Sequence, residues 1–574
     1  MDAACIASAN GMRRYLLIIV IFVIATIPVR AQPSISDSGD VADVPHLLTE
    51  DRWVEIIKLV ENGTVRSAAD FRYNYGAALA HRERWEDAGK EFRKGLMQFP
   101  GDKRFFLGLA GVSFKEKNYR AAGEYLHGAL KLDPADSYTI DFLASVYFLQ
   151  GNIEAALKYW NRISKPQIEE VKFDPAPRVD PVLLDRAFAF SPASVLSLSE
   201  LHTTRAKVDG LGIFPSYRID LEARSDGKFD AVFRGQERNG WGNGKIGTLF
   251  SLFRGLPFQT IYPEFFNFRG RTINFESLIR WDSQKRRLRT NLSGPFARES
   301  KWRYQFDLDL RNENWEIRDS SGGAQILGSL NLRKQAFTAG LRSFESGRWD
   351  WSTGVELSHR DFRNVIPGAS LTPQYLAQGY QLKHLAQFDY VLTRVPEKRL
   401  TIATSASTQL GRILSEPSNA FARLQWSLQA NWSPQASGDD YEMQGRVSAG
   451  KQFGRGPFDE LFVLGIERDN DLLLRGHVGT RNGRKGSAPL GENYFLSNWE
   501  LDKNIYSNAL IGLKLGPFLD SGRITSSSPG LGSERWLWDL GAQAKLRVLG
   551  QGVAFAYGKD LRSGNNAFYL WMIR

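Results

Sequence analysis

Hydrophobic and polar positions follow three different rhythms along this chain. Near the start, Met12-Arg13-Arg14 precedes Leu16 to Ile27, twelve residues that are apolar except for Thr26, and Val29-Arg30-Ala31 then gives way to the polar run Gln32 to Ser38. From 69 to about 168 the apolar pattern recurs every 34 residues. Gly76, Ala110 and Ala144 form one register, Ala88, Ala122 and Ala156 a second, and Phe92, Leu126 and Trp160 a third, with Pro100 and Pro134 closing the first two copies. After Gly240 the period falls to two. Trp302, Tyr304, Phe306, Leu308 and Leu310 alternate with Arg303, Gln305, Asp307, Asp309 and Arg311. The same alternation runs from Ala422 to Trp432, from Ala509 to Leu515 and from Trp538 to Leu546.

Each rhythm predicts an element type. A basic head, a short apolar stretch and a closing alanine predict a secretory signal at 12–31, cleaved after Ala31. Twelve helical residues rise only about 18 Å, short for a bilayer. The 34-residue period predicts paired helices over 50–168. Small residues let the helices approach, bulky ones fill between them, and proline ends each unit. These positions resemble the tetratricopeptide repeat, without its initial tryptophan. A repeat of this kind serves either as a spacer or as a docking surface.

Residues 171–238 change character. Val182 to Phe190 predicts one short helix, and Ser191-Pro192 begins a second that runs through Leu196, Leu198, Leu201 and Val208 to Gly210-Leu211-Gly212. Tyr217 to Ala223 and Phe229 to Phe233 predict a two-strand ribbon around the Asp226-Gly227 turn. With a preceding strand this makes a small α/β unit. Its Leu211-Gly212-Ile213-Phe214 turn resembles that of POTRA (polypeptide-transport-associated) domains, which implies a free sheet edge onto which an extended strand can add.

The period of two gives each later run one apolar and one polar face. Runs of about nine to eleven residues are long enough for a tilted strand to cross a hydrocarbon layer. A soluble antiparallel sheet would alternate as well, but 240–574 without a helical layer would then need two packed sheets or several domains. A closed transmembrane antiparallel β-barrel satisfies every strand edge. At about 20 residues per strand and connection, 240–574 gives about 16 strands. Twelve of the 15 tryptophans fall in this region, as interfacial girdles require. The predicted fold is therefore multidomain: helical repeats, one α/β unit and a C-terminal barrel.

Composition narrows the picture further. A net charge of +11 over 574 residues, with no Lys/Arg block, does not call for nucleic acid. Mean hydropathy of -0.33 excludes a polytopic helical membrane protein but not a barrel with a polar lumen. The single Cys5 precedes the predicted cleavage site, so neither disulfides nor Cys-ligated metal are expected. The seven histidines are dispersed without metal spacing, and no nucleophile elbow, phosphate loop or His-Glu-x-x-His is present. Asp307 and Asp309 could be read as a carboxylate pair, but alternate residues on one polar strand face are better read as lumen charges. No enzyme, cofactor or metal is expected.

Specific motifs lie inside the predicted barrel. Gly456-Pro457-Phe458-Asp459-Glu460-Leu461-Phe462-Val463-Leu464-Gly465 leads through Leu474-Arg475-Gly476-His477 to Leu490-Gly491-Glu492-Asn493-Tyr494. Downstream stand Gly516-Pro517-Phe518-Leu519-Asp520-Ser521-Gly522-Arg523, then Leu537 to Gly541 and Phe555 to Leu561, and upstream Arg287 to Phe296. Together they resemble the bacterial surface antigen barrels, the superfamily of outer-membrane assembly factors and two-partner secretion transporters. The family's inward loop is tipped by Val/Ile-Arg-Gly-Tyr/Phe, here Leu474-Arg475-Gly476-His477, and Phe518, Asp520 and Gly522 match its Phe-x-Asp-x-Gly strand motif. The final strand ends in Arg574, where outer-membrane proteins usually end in an aromatic.

Independently of the resemblance, the parity of Asp520 with Lys514 and Gly512 places it on the lumen face. If Arg475 stands on an inward loop, as the resemblance implies, its guanidinium could meet that carboxylate with two charge-assisted bonds. Read without the resemblance, Arg475 could equally be a solvated loop charge and Asp520 a turn residue. Gly476 and Gly522 leave room for close backbone approach. The resemblance implies that this clamp stabilises a transport-competent barrel. It also implies an outer-membrane protein, with its N-terminal domains in the periplasm, that inserts or translocates client polypeptides. Its expected partners are those clients, periplasmic accessory proteins and outer-membrane lipid. Two other readings stand beside it: a membrane-anchored scaffold binding envelope partners through its repeats, and a passive diffusion porin.

Overall fold

The computed structural model describes residues 53–61, 69–242, 244–319, 325–368, 371–415, 418–434, 440–507, 511–528, 530–533, 535–548 and 551–573. The expected signal at 12–31, residues 50–52 and 62–68 of the expected repeat domain, Ala509 of the third alternating run and the terminal Arg574 lie outside the described residues.

The helical part consists of α1 (Trp53–Glu61), α2 (Ala69–His81), α3 (Trp85–Gln98), α4 (Lys103–Lys115), α5 (Tyr119–Leu132), α6 (Ser137–Leu149) and α7 (Ile153–Trp160). Helices α4 to α7 each start at a side chain that accepts a backbone N–H: Asp102 from Arg104, Asn118 from Ala121, Asp136 from Thr139 and Asn152 from Ala155. The repeat extends to the backbone, because Glu83, Lys117 and Gly151, spaced by 34, all turn with positive φ. The small residues act as the spacing predicts. A Cβ on Gly76 or Gly108 would lie within 2.6 or 2.8 Å of the Phe92 ring, so α2 and α4 approach α3 as closely as that ring allows.

A three-stranded sheet follows, ordered β1-β3-β2, from β1 (Ile168–Asp174), β2 (Ser216–Ala223) and β3 (Phe229–Gln236), with helices α8 (Pro181–Ala187) and α9 (Leu198–Leu211). The predicted helix start at Ser191-Pro192 is not observed. Residues 188–197 remain irregular, because this segment bonds to the chain beside it instead of to itself: Ala193 N donates to Ile168 O, Ile168 N to Ser194 O, and Leu196 N to Pro166 O. Ala193 also takes a left-handed φ of 62°, which a helix cannot accommodate. The chain forms two compact units. One contains the seven helices with 191–198 and 220–232, and the other contains 173–190, 199–219 and the chain from 233 onward.

The second unit is dominated by a closed barrel. After α10 (Gly244–Phe253) come β4 (Thr260–Ile261), β5 (Glu264–Phe268), β6 (Ile273–Trp281), β7 (Lys285–Pro295), β8 (Trp302–Arg318), β9 (Ile326–Ser343) and β10 (Trp349–Ile366). Next are β11 (Gly379–Val395), β12 (Leu400–Ile413), β13 (Ala420–Trp432) and β14 (Tyr441–Gly454). An excursion then carries β15 (Phe462–Val463), β16 (Thr480–Arg481), β17 (Arg484–Lys485) and β18 (Leu490–Gly491). The ring resumes with β19 (Asn493–Ser507), β20 (Ile511–Thr525), β21 (Leu537–Val548), β22 (Gln551–Asp560) and β23 (Asn566–Ile573).

Among the described residues, hydrogen bonding joins eighteen strands into the ring, against an expectation of about 16. Fourteen of these have eight residues or more. The other four are short pieces: β4 and β5, which both pair with β6, and β16 and β17 of the excursion. Dividing length by a uniform strand allotment counts neither short pieces nor the residues spent on the excursion. Beyond it, β14 pairs directly with β19 from Tyr441↔Lys503 to Lys451↔Asn493.

The ring is inverted relative to a soluble core. Phe306, Trp426 and Trp538 are 41%, 45% and 46% exposed on its outside, whereas Arg360 and Asp520 inside are 1% and 0% exposed. At one mouth, helix α9 ends on the wall: Arg303 of β8 donates to Gly210 O and Leu211 O at 3.1 and 3.0 Å, and Asn274 of β6 donates to Gly212 O at 3.1 Å. These bonds satisfy the terminal carbonyls of the helix and place a cation at its negative end.

The helical packing generates a test. Phe92→Ala removes a ring that is 2% exposed and should destabilise the repeat region by about 3–5 kcal/mol. Denaturant melting of the helical signal should shift accordingly, while the barrel's resistance to SDS at room temperature is retained.

Candidate functional site

The excursion between β14 and β19 folds into the lumen. Its neck is closed by the β15–β18 pair, Phe462↔Gly491 and Val463↔Leu490. Its apolar residues make a core of their own against the wall: Phe462, Leu464, Leu472 and Leu474 of the loop pack with Tyr494, Leu496, Ile524 and Leu537. Leu474, fully buried, thus seats the tip that follows it.

At that tip Arg475 meets Asp520 of β20. Nε donates to Oδ2 at 2.8 Å, Nη2 to Oδ1 at 2.6 Å, and the backbone N of Arg475 to Oδ2 at 3.0 Å. The remaining Nη1 donates to Gln543 Oε1 at 2.8 Å and Glu500 Oε1 at 2.5 Å. Asn498 donates to Asp520 Oδ1 at 2.7 Å and also to the loop carbonyl of Leu473 at 2.7 Å. The guanidinium lies 3.8 Å from the centre of the Phe518 ring, so the aromatic of the strand motif forms its floor. Arg475 and Asp520 are 1% and 0% exposed. A buried pair repays its desolvation only when the remaining donors and acceptors are also satisfied, and here they are.

The glycines work by proximity. Gly476 N donates to Asp539 Oδ2 of β21 at 2.5 Å, and a Cβ on Gly476 would lie 2.6 Å from Asp539 Cγ and 2.7 Å from the Asp560 nitrogen. From the wall, a Cβ on Gly558 would lie 2.2 Å from Arg475 O. Gly522 of β20 faces the loop's apolar core, with its Cβ direction 3.2 Å from Leu464 Cδ1. His477 extends the clamp: Nδ1 lies 3.1 Å from Asp539 Oδ2, and Nε2 lies 3.6 Å from Asp560 Oδ2. The ligand atoms of His477, Asp539 and Asp560 lie within 4.8 Å of one another, but each ring nitrogen faces a different carboxylate. The imidazole bridges two acids.

Sequence reasoning missed two further anchors on the same loop. Asp469 is paired with Arg287, with Lys485 at 3.2 Å and with Arg280 at 3.8 Å. Asp459 and Glu460, in the single turn Phe458–Glu460, reach Lys334 of β9, Arg360 of β10 and Lys383 of β11. Alternation places these wall residues on the lumen face, but no local pattern ties them to the loop. Asp307 and Asp309 do not form a carboxylate pair: Asp309 is bound by Arg287 through Nε at 2.9 Å and Nη2 at 2.8 Å, and Asp307 by Arg289 at 3.2 Å.

The loop is therefore a strap whose turn at Asp459–Glu460 and whose tip carry opposite charge. Asp459, Glu460 and Asp469 meet cations of β6, β7 and β9 to β11, and Arg475 and His477 meet Glu500, Asp520, Asp539 and Asp560 on β19 to β22. The loop's Arg484 and Lys485 meet Glu316 and Glu313 of β8.

No protein-family model matches the chain, and no curated protein matches it. Among solved structures it is similar to BamA from Haemophilus ducreyi lacking POTRA domains 1-3, at 11% identity over 70% of this chain and 83% of that chain, with a TM-score of 0.40. It is similar also to CdiB from Escherichia coli, at 14% identity over 69% of this chain and 73% of that one, with a TM-score of 0.46. At this distance neither supplies an activity or a partner for this chain.

The clamp geometry makes two variants informative. Arg475→Ala leaves the Asp520 carboxylate buried without its main partner, a loss of about 3–5 kcal/mol. Gly476→Ala drives a methyl into the Asp539 carboxyl group. Both should lower the temperature at which the barrel loses its compact migration in SDS gels; Arg475→Lys, which lacks the two-pronged geometry, should fall between Arg475→Ala and the wild type.

Proposed function

We propose that this chain is an outer-membrane barrel of the bacterial surface antigen type, which inserts or translocates client polypeptides. In this reading, 50–168 is a tetratricopeptide repeat domain and 171–238 a POTRA-like domain, both in the periplasm. The observation that carries the reading is a loop that enters the lumen and is held there on both sides by buried ion pairs. A passive porin needs no loop fixed in its path. A pure anchor needs no such gate.

The outer surface supports placement in lipid. Its exposed aromatic and aliphatic side chains would be a liability in water but form the band that a bilayer requires. The predicted signal at 12–31 and the absence of cysteine after Ala31 fit an exported chain. The repeats would gather a client or accessory protein, the small α/β domain would pass extended segments to the mouth where α9 is seated, and the strap would withdraw to admit them. No nucleotide is required, because strand pairing and client folding release free energy. No catalytic or metal chemistry is assigned.

Two measurements test this. Arg475→Ala should abolish client export or insertion while the barrel still reaches the outer membrane; normal client levels would overturn the reading. Photo-crosslinking from the repeat helices of the full chain in intact cells should capture the same client whose level falls in that variant.

A further inference from the structure

The Asp459–Glu460 anchor differs in kind from the arginine clamp. Its wall side is assembled from four strands. Lys334 Nζ lies 3.1 Å from Asp459 Oδ2 and 3.2 Å from Glu460 Oε1. Arg360 Nη1 lies 3.1 Å from Asp459 Oδ1, and its Nη2 lies 3.3 Å from Glu460 Oε1. Lys383 Nζ lies 3.2 Å from Glu460 Oε1, Gln381 Nε2 donates to the same oxygen at 3.3 Å, and Arg423 of β13 stands 4.0 Å from Oε2. Arg360, Lys383 and Lys334 are 1%, 5% and 9% exposed.

Among the described residues the wall supplies one carboxylate of its own here, Glu356, at 3.3 Å from Lys383 and 3.8 Å from Lys334. Four cations against one acid leave the wall at plus three. The loop's two acids reduce this to plus one. On either side of those acids the loop inserts apolar side chains: Phe458 and Leu461 pack with Ile317, Leu330, Leu332 and Phe362. The wall thus presents a cationic pocket with apolar flanks, and the loop fills it with the sequence Phe458-Asp459-Glu460-Leu461. If the strap withdraws, these cations lose the two acids that pair with them and repel one another, and a segment with acids between apolar residues would restore both kinds of contact.

We propose that this wall pocket is a docking site for client segments of the same chemistry, two adjacent acidic residues between apolar ones, and that Phe458–Leu461 is the chain's own stand-in for them. The site rests on the transport reading above and extends it by specifying what the lumen recognises. Loop and client compete for one set of cations, so the loop stays seated until a segment with matching charges arrives.

The test uses the full chain reconstituted in planar bilayers, with single-channel current as the readout and three peptides that share apolar flanks but carry a central Asp-Glu, Asn-Gln or Lys-Lys. Compact migration in SDS gels verifies folding of each variant. Glu460→Gln should open the channel more often than in the wild type, and the Asp-Glu peptide should then block it at a concentration at least about tenfold lower than the Asn-Gln peptide. Adding Lys383→Gln should remove that preference. Glu460→Asp, which keeps the charge beside Lys334, Arg360 and Lys383, should open less often than Glu460→Gln and serves as the second variant if Glu460→Gln folds poorly. Equal block by the Asp-Glu and Asn-Gln peptides in Glu460→Gln, a preference that survives Lys383→Gln, or Glu460→Asp opening as often as Glu460→Gln would overturn the inference and leave the transport reading standing. A chain that opens no channel in any variant would overturn both.

Discussion

The dependency that organises the barrel is the need of its buried interior charges for partners. With apolar side chains on the outside of the ring, alternation forces every other residue inward, and many of those are Arg, Lys, Asp or Glu. Some find partners within the wall, as Arg287 does with Asp309. Others are met from the loop: Asp520 by Arg475, Asp539 by Gly476 and His477, and Lys334 and Arg360 by Asp459 and Glu460. Wall and loop are each electrostatically incomplete, and their association closes the lumen for the same reason that it stabilises the fold.

How much of this a sequence can reveal follows from how local each signal is. The helical repeat was legible because Gly76, Ala110 and Ala144 mark one packing event at a fixed spacing, and the packing of Phe92 against Gly76 repeats that logic in space. The lumen side of Asp520 was legible from parity, and Arg475 from a short motif. The partners of Glu460 were not, because Lys334 and Lys383 lie 126 and 77 residues away. Alternation tells which face a residue takes, but height and azimuth in a ring come from register and stagger, which no short window encodes. The misplaced helix start at Ser191-Pro192 has the opposite origin: a strong local cue overridden by backbone bonds to Ile168 and Pro166.

Arg303 belongs to the non-local class as well. In sequence it is one basic residue on an alternating strand; in the structure its guanidinium gathers carbonyls of Gly210, Leu211, Thr272 and Ser293. It therefore joins the end of α9 to β6 and β7. These strands also carry Arg280 and Arg287, which face Asp469 of the loop. The seat of the α9 helix and one anchor of the strap thus share the same staves, so a displacement of α9 would act on strands that also hold the loop.

Opposite charge at the Asp459–Glu460 turn and at the tip of the strap constrains how it can leave. Stripping every buried pair at once would sum penalties of about 3–5 kcal/mol each, a barrier that thermal motion does not cross on a useful timescale. Release one end at a time is cheaper, provided each stranded wall charge is re-paired as it appears. The tip leaves acids behind on β20 and β21, which small cations and water can screen. The Asp459–Glu460 turn leaves Lys334, Arg360, Lys383 and Arg423 clustered around the single wall acid Glu356, and their mutual repulsion persists until another anion arrives. Of the two ends, the second is therefore the one whose release most depends on what replaces it.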